Sequence, residues 1–98
     1  MVQIKWTEKS KRDLKNIYEY IAFDSKYYAK LTVLKLRKRT EILKTHKEIG
    51  KIVPEYDNKM IRELIEGNYR IIYKIMSLHN LEILTVFHSK RDLSQYIL

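Results

Sequence analysis

Apolar and polar residues along this chain fall into a short alternating run, two helical stretches and then four more alternating or apolar runs. Val2, Ile4 and Trp6 alternate with Gln3 and Lys5, which predicts a short strand with one buried face. Thr7 follows as a plausible N-cap, with Glu8 in the first turn, where the helix dipole favours an anion. The first helix is expected over about Glu8 to Phe23, because Leu14, Ile17, Tyr18 and Ile21 lie on one helical face. Asp24 and Ser25 break the pattern, and either can cap a second helix over about Lys26 to Lys47. In that helix Ala29, Val33, Leu36, Thr40 and Leu43 form a core seam, and Leu31, Leu34 and Ile42 form a second stripe beside it. The wide apolar face suits a helix wedged between the first helix and a sheet, or a patch that receives a partner helix. Gly50 stands where a C-terminal helix breaker is expected.

The second half reads as sheet. Lys51 to Val53 is a short strand that Pro54 confines to an edge or ends, and Tyr56 to Lys59 is a polar loop. Met60 to Glu66 and Tyr69 to Ser77 are the arms of a hairpin turned by Gly67-Asn68. Both faces of the second arm carry apolar residues, so it is a central strand. His79-Asn80 turns the chain into a last apolar strand, Leu81 to His88. Strand, two-helix hairpin and antiparallel meander together predict a single α+β domain spanning residues 1–98, one curved sheet with helices on one face.

Composition narrows the function classes. Twenty basic against twelve acidic residues give a net charge of +8, which favours a polyanion or an acidic protein as partner. There is no cysteine, so disulfides and thiolate metal sites are excluded, and His46, His79 and His88 lack metal-ligand spacing. No metal or other cofactor is expected. Neither a secretory h-region nor a membrane-spanning run is present, so a cytoplasmic location without membrane contact is expected.

Candidate chemistry lies between Lys51 and Leu93. Arg62 and Arg70 sit among apolar strand residues, where an unpaired charge is costly. Each is either paired with a carboxylate such as Glu63, Glu66 or Glu82, or part of a phosphate clamp on the sheet. A two-residue loop sets Arg62 opposite Tyr73 and sends Arg70 to the other face; a three-residue bulged loop puts both on one face. His88 ends the last strand, and imidazole titrates near neutrality, so it can serve as acid or base. Glu55, beside Pro54, is a second acid–base candidate. Lys74, Lys90 and Arg91 add cations for a phosphate or target surface. Glutamate, histidine and arginines in convergence would suit metal-free RNA cleavage through the ribose 2′-hydroxyl.

Three pieces then stand out in order: G-K-x-V-P-E from Gly50, I-R-E-L-x-x-G-N-Y-R-I-I-Y from Ile61, and E-I-L-x-V-x-H-x-x-R from Glu82. With the opening I-K-W-T-E-K-S-K-R-D-L-K-N-I-Y-E-Y-I, the chain resembles the RelE/ParE superfamily of bacterial toxins over about residues 2 to 93. The resemblance implies a type II toxin held inactive by a cognate antitoxin, with Leu31, Leu34 and Ile42 as antitoxin-binding residues and any oligomer formed through the antitoxin. It further implies, for a ParE-like member, inhibition of DNA gyrase. For a RelE- or YoeB-like member it implies ribosome-dependent cleavage of messenger RNA, with Glu55, Arg70 and His88 catalytic. A non-toxic basic nucleic-acid-binding domain is the third reading.

Overall fold

The computed structural model describes residues 1–90; Arg91 and the segment 94–98 lie outside the described residues. Strand β1 (Gln3–Trp6) leads into helices α1 (Glu8–Ala22) and α2 (Lys26–Arg39), followed by a 3₁₀ turn over Thr40–Lys44. Strands β2 (Lys51–Ile52), β3 (Ile61–Glu66), β4 (Tyr69–Ser77) and β5 (Asn80–His88) complete a five-stranded sheet of order β1-β5-β4-β3-β2. The meander β2–β5 is antiparallel, and β1 closes the far edge parallel to β5.

Local sequence accounts for most boundaries. The Thr7 side chain accepts from Ser10 N–H at 3.1 Å and donates to Ile83 O at 2.8 Å, so one hydroxyl caps α1 and ties it to β5. Ser25 caps α2, accepting from Tyr28 N–H. Helix α2 stops at Arg39, short of the expected Lys47. There the Thr40 hydroxyl bonds Arg37 O at 2.7 Å and its N–H also reaches back three residues, which tightens the chain into the 3₁₀ turn. The core seam holds at four of its five positions: Ala29, Leu36, Thr40 and Leu43 are buried, and Val33 is half-buried.

Gly50 is not the end of a helix. Its N–H donates to the Tyr73 hydroxyl at 2.9 Å, and that hydroxyl donates to Lys47 O at 2.7 Å. A Cβ at position 50 would collide with the Tyr73 ring, which is fully buried, so glycine is required by close approach.

The β3–β4 hairpin has the two-residue turn, with Gly67 at φ 57°. Its register pairs Arg62 with Tyr73 and Glu66 with Tyr69. Arg62 and Arg70 therefore occupy opposite faces. The helix side of the sheet carries the main core, with Leu64, Ile71, Tyr73, Ile83 and Val86 against Leu14, Leu36 and Leu43. The outer side carries a smaller cluster of Val53, Ile61, Ile72 and Phe87, with Tyr56 and Leu84 packed on it. A register shift between Ile72 and Tyr73 bulges β5 at Leu84. Beside it, the Asp13 carboxylate of α1 accepts from Thr85 Oγ1 at 2.6 Å, Val86 N–H at 3.0 Å and Lys9 Nζ at 3.1 Å.

Burial raises the Tyr73 phenol above its ordinary value of 10.0, opposed by the Gly50 hydrogen bond and the Arg62 charge. Burial likewise raises Tyr56 and Tyr69. Unfolded tyrosines ionise at about pH 10, so the contribution of these phenols to stability is fully present below that pH and is lost as pH rises toward the folded values. Urea unfolding at pH 9 and above pH 10 is expected to show this loss, and Tyr73→Phe is expected to lessen it while lowering stability at neutral pH by about 1–2 kcal/mol through the two lost hydrogen bonds.

Candidate functional site

The expected site residues divide between the two faces of the sheet. On the outer face, Arg70 lies over the Phe87 ring, its guanidinium carbon 5.5 Å from the centroid. Its Nε donates to Glu63 Oε2 at 2.8 Å, and Nη2 makes a second, shorter contact to the same oxygen. Glu55 is more distant, 3.9 Å from Nη1, and half exposed. The side chains of Arg70 and Glu63 are only 16% and 13% exposed, so the pair is largely desolvated. Beside them, Tyr56 has its phenol raised by burial and by the Glu55 charge, against a lowering from Arg70. Of the carboxylates that might pair with a strand arginine, Glu63 is the one the fold selects for Arg70.

His88 is not part of that cluster. It pairs with Tyr69 across the β4–β5 ladder, while Arg70 pairs with Phe87. Successive residues alternate faces, so His88 shares the helix side with Tyr69. The two rings meet edge to face at 5.5 Å. His88 Nδ1 accepts from Lys90 N–H at 3.2 Å, which assigns the proton of the neutral ring to Nε2. Around it, Asn16, Tyr20, Tyr69 and Lys90 line a groove of about 610 Å3 between α1 and the end of the sheet. Burial, then the neighbouring Tyr20, raises the Tyr69 phenol.

The other expected cations have separate settings. Arg62 points under the 46–50 segment, where Nη1 donates to Glu48 O at 2.9 Å and Gly50 O at 3.1 Å. Its buried Nε has no hydrogen-bond partner among the described residues. Lys74 is half-buried, in register with Glu82 on β5 and Ile61 on β3. Lys90 is exposed, and Arg91 lies outside the described residues. The Leu31, Leu34 and Ile42 stripe is divided, because α2 ends before Ile42. Leu34 is 55% exposed, whereas Ile42 packs against the main core. Among the described residues no group of three or more histidine, aspartate or glutamate side chains is placed to hold a metal ion. No helix among them is long and apolar enough to cross a membrane.

The model of a family described as the ParE toxin of the type II toxin–antitoxin system parDE matches residues 4–93. The chain belongs to the ParE toxin family. The fold agrees with this membership. A solved structure described as the chromosomal ParDE toxin–antitoxin system from P. aeruginosa superposes with a TM-score of 0.76 at 22% identity, covering 92% of this chain and 98% of that one. No curated protein matches. Membership of the ParE family makes the chain a type II toxin and implies an antitoxin as its partner.

Asp13, Tyr20 and Tyr69 are the site neighbours that sequence reasoning did not single out. Each reads locally as an ordinary helix-surface or strand residue. The available signal was the spacing of Asn16 and Tyr20, which share one face of α1, with Phe23 at its C-cap continuing the row beside the buried stripe.

Proposed function

We propose that this type II toxin arrests growth by inhibiting DNA gyrase and is neutralised by a cognate antitoxin. The family match over residues 4–93 is the observation that carries the reading. The ParE-like resemblance of the I-R-E-L-x-x-G-N-Y-R-I-I-Y stretch supplies gyrase as the target. The nuclease alternative requires Glu55, Arg70 and His88 around one phosphate. Arg70 is instead held by Glu63 on the outer face, and His88 stands on the helix side. Among the described residues, Lys74 and Lys90 of the expected target surface form no ion pair, whereas Arg62 is engaged with loop carbonyls. For the antitoxin, exposed Leu34 beside Lys35, Arg37 and Lys38 suits an acidic, amphipathic segment.

Purified, antitoxin-free protein is expected to inhibit supercoiling by gyrase and to accumulate cleaved DNA. The Glu55→Ala/His88→Ala double variant is expected to keep this activity and to arrest growth on expression. Unimpaired supercoiling by gyrase with folded toxin in excess would overturn the reading. Discrete cuts in the A-site codon of messenger on stalled ribosomes, abolished in the double variant, would establish the nuclease in its place.

A further inference from the structure

We propose that the groove between α1 and the β4–β5 end seats an unstacked base of single-stranded nucleic acid. Its walls combine ring faces with hydrogen-bonding groups that the protein leaves unused. Tyr20 is 83% exposed and rises from α1 at one side, while Tyr69 and His88 form the other. The Asn16 amide and the Tyr20 and Tyr69 hydroxyls make no hydrogen bond among the described residues, and on His88 only Nδ1 is engaged. A flat base, apolar on its faces and polar on its edge, matches both features. An aliphatic side chain of a protein partner would cover the rings and leave the polar atoms unpaired.

Charge favours the same occupant. The chain carries +8, and Lys90 stands at the groove to meet a phosphate. Asp13 is the acidic residue among the described residues of the lining. Its carboxylate is satisfied by Lys9, Thr85 and the Val86 N–H, and its side chain is 14% exposed, so it presents little uncompensated charge to a strand. The groove lies on the helix side, away from the Arg70–Glu63 pair, so this binding is independent of any phosphate chemistry on the outer face.

The test uses the full chain with neither gyrase nor antitoxin, so its failure would leave the gyrase reading untouched. Fluorescence anisotropy would follow binding of labelled oligothymidylate and oligouridylate of roughly ten nucleotides, and of a duplex of equal length, at low salt. Binding of either single strand in preference to duplex is expected. Tyr20→Ala is expected to weaken it about tenfold, the scale of one lost stacking contact, and Tyr20→Phe to restore most of it. Tyr20 is on the surface, so neither change is expected to alter the circular dichroism spectrum. Tyr28→Ala, which removes an exposed aromatic at the helix hairpin outside the groove lining, is expected to leave affinity unchanged. Equal affinity for duplex, or an unchanged affinity in Tyr20→Ala, would show charge attraction alone and overturn the proposal. A groove that seats a protein segment instead would bind neither strand, and that result would also overturn it.

Discussion

Asp13→Ala is expected to lower the free energy of unfolding by about 3 kcal/mol, because the change strands several donors at once. The carboxylate meets the Thr85 hydroxyl, the Val86 N–H and the Lys9 ammonium, all within 3.1 Å on its nearest oxygen. Thr85 is fully buried and Val86 nearly so, which keeps water from replacing the lost acceptor. The contact also joins α1 to β5 at a bulge, where the regular ladder is interrupted. Chemical denaturation of wild type and variant measures the difference. Asp13→Asn separates the two contributions. Its amide oxygen still accepts from Val86 N–H while the charge pairing with Lys9 is gone, so roughly half the loss is expected. An Asp13→Ala variant as stable as wild type would mean that the α1–β5 packing holds without this network.

The second large effect concerns Arg70 and Glu63. Removing either partner alone is expected to cost about 2–3 kcal/mol, because the remaining charge stays largely desolvated against Phe87 and Ile72. Glu55, 3.9 Å away and half exposed, replaces little of the lost interaction. Replacing both with apolar residues, Arg70→Met with Glu63→Leu, is expected to cost under about 1 kcal/mol, since no charge is left unpaired. The double-mutant cycle therefore reports a strong favourable coupling. The same pair of changes separates structure from function. If Arg70 is a structural cation held by Glu63, the stable double variant still arrests growth. A folded double variant without toxicity would return Arg70 to the target-contacting surface.

Both experiments turn on contacts of different legibility. That Arg70 needs an anionic partner follows from its position in an apolar strand, but the sequence leaves open whether that is a carboxylate such as Glu63 or a bound phosphate. Which carboxylate meets it depends on hairpin register, and one residue of slip reverses the face of every side chain. Asp13 gave no sign of its role. It lies on α1 four residues after Lys9, a spacing that reads as a surface ion pair, and its decisive partners are more than seventy residues away. The second helix shows the same limit. Its seam follows the helical period through Thr40 and Leu43, but periodicity does not reveal that the Thr40 hydroxyl tightens the chain into a 3₁₀ turn. By periodicity Ile42 therefore reads as a neighbour of Leu31 and Leu34, although it packs inward.

Features that depend on near neighbours are legible in the chain itself. The apolar faces of both helices, the Thr7 cap, a second cap at Asp24 or Ser25, the Gly67-Asn68 turn and the family membership all rest on residues a few positions apart or on their order. Features that depend on distant segments meeting are set by the folded arrangement. It set β1 parallel to β5, brought Gly50 against the Tyr73 ring, gave Arg70 to Glu63, and placed His88 beside Tyr69 on the opposite face. The physical reason is that a strand fixes the alternation of its side chains but not its partner or register. Those are chosen when the whole sheet closes over one core, and with them is chosen which charged residues share a site.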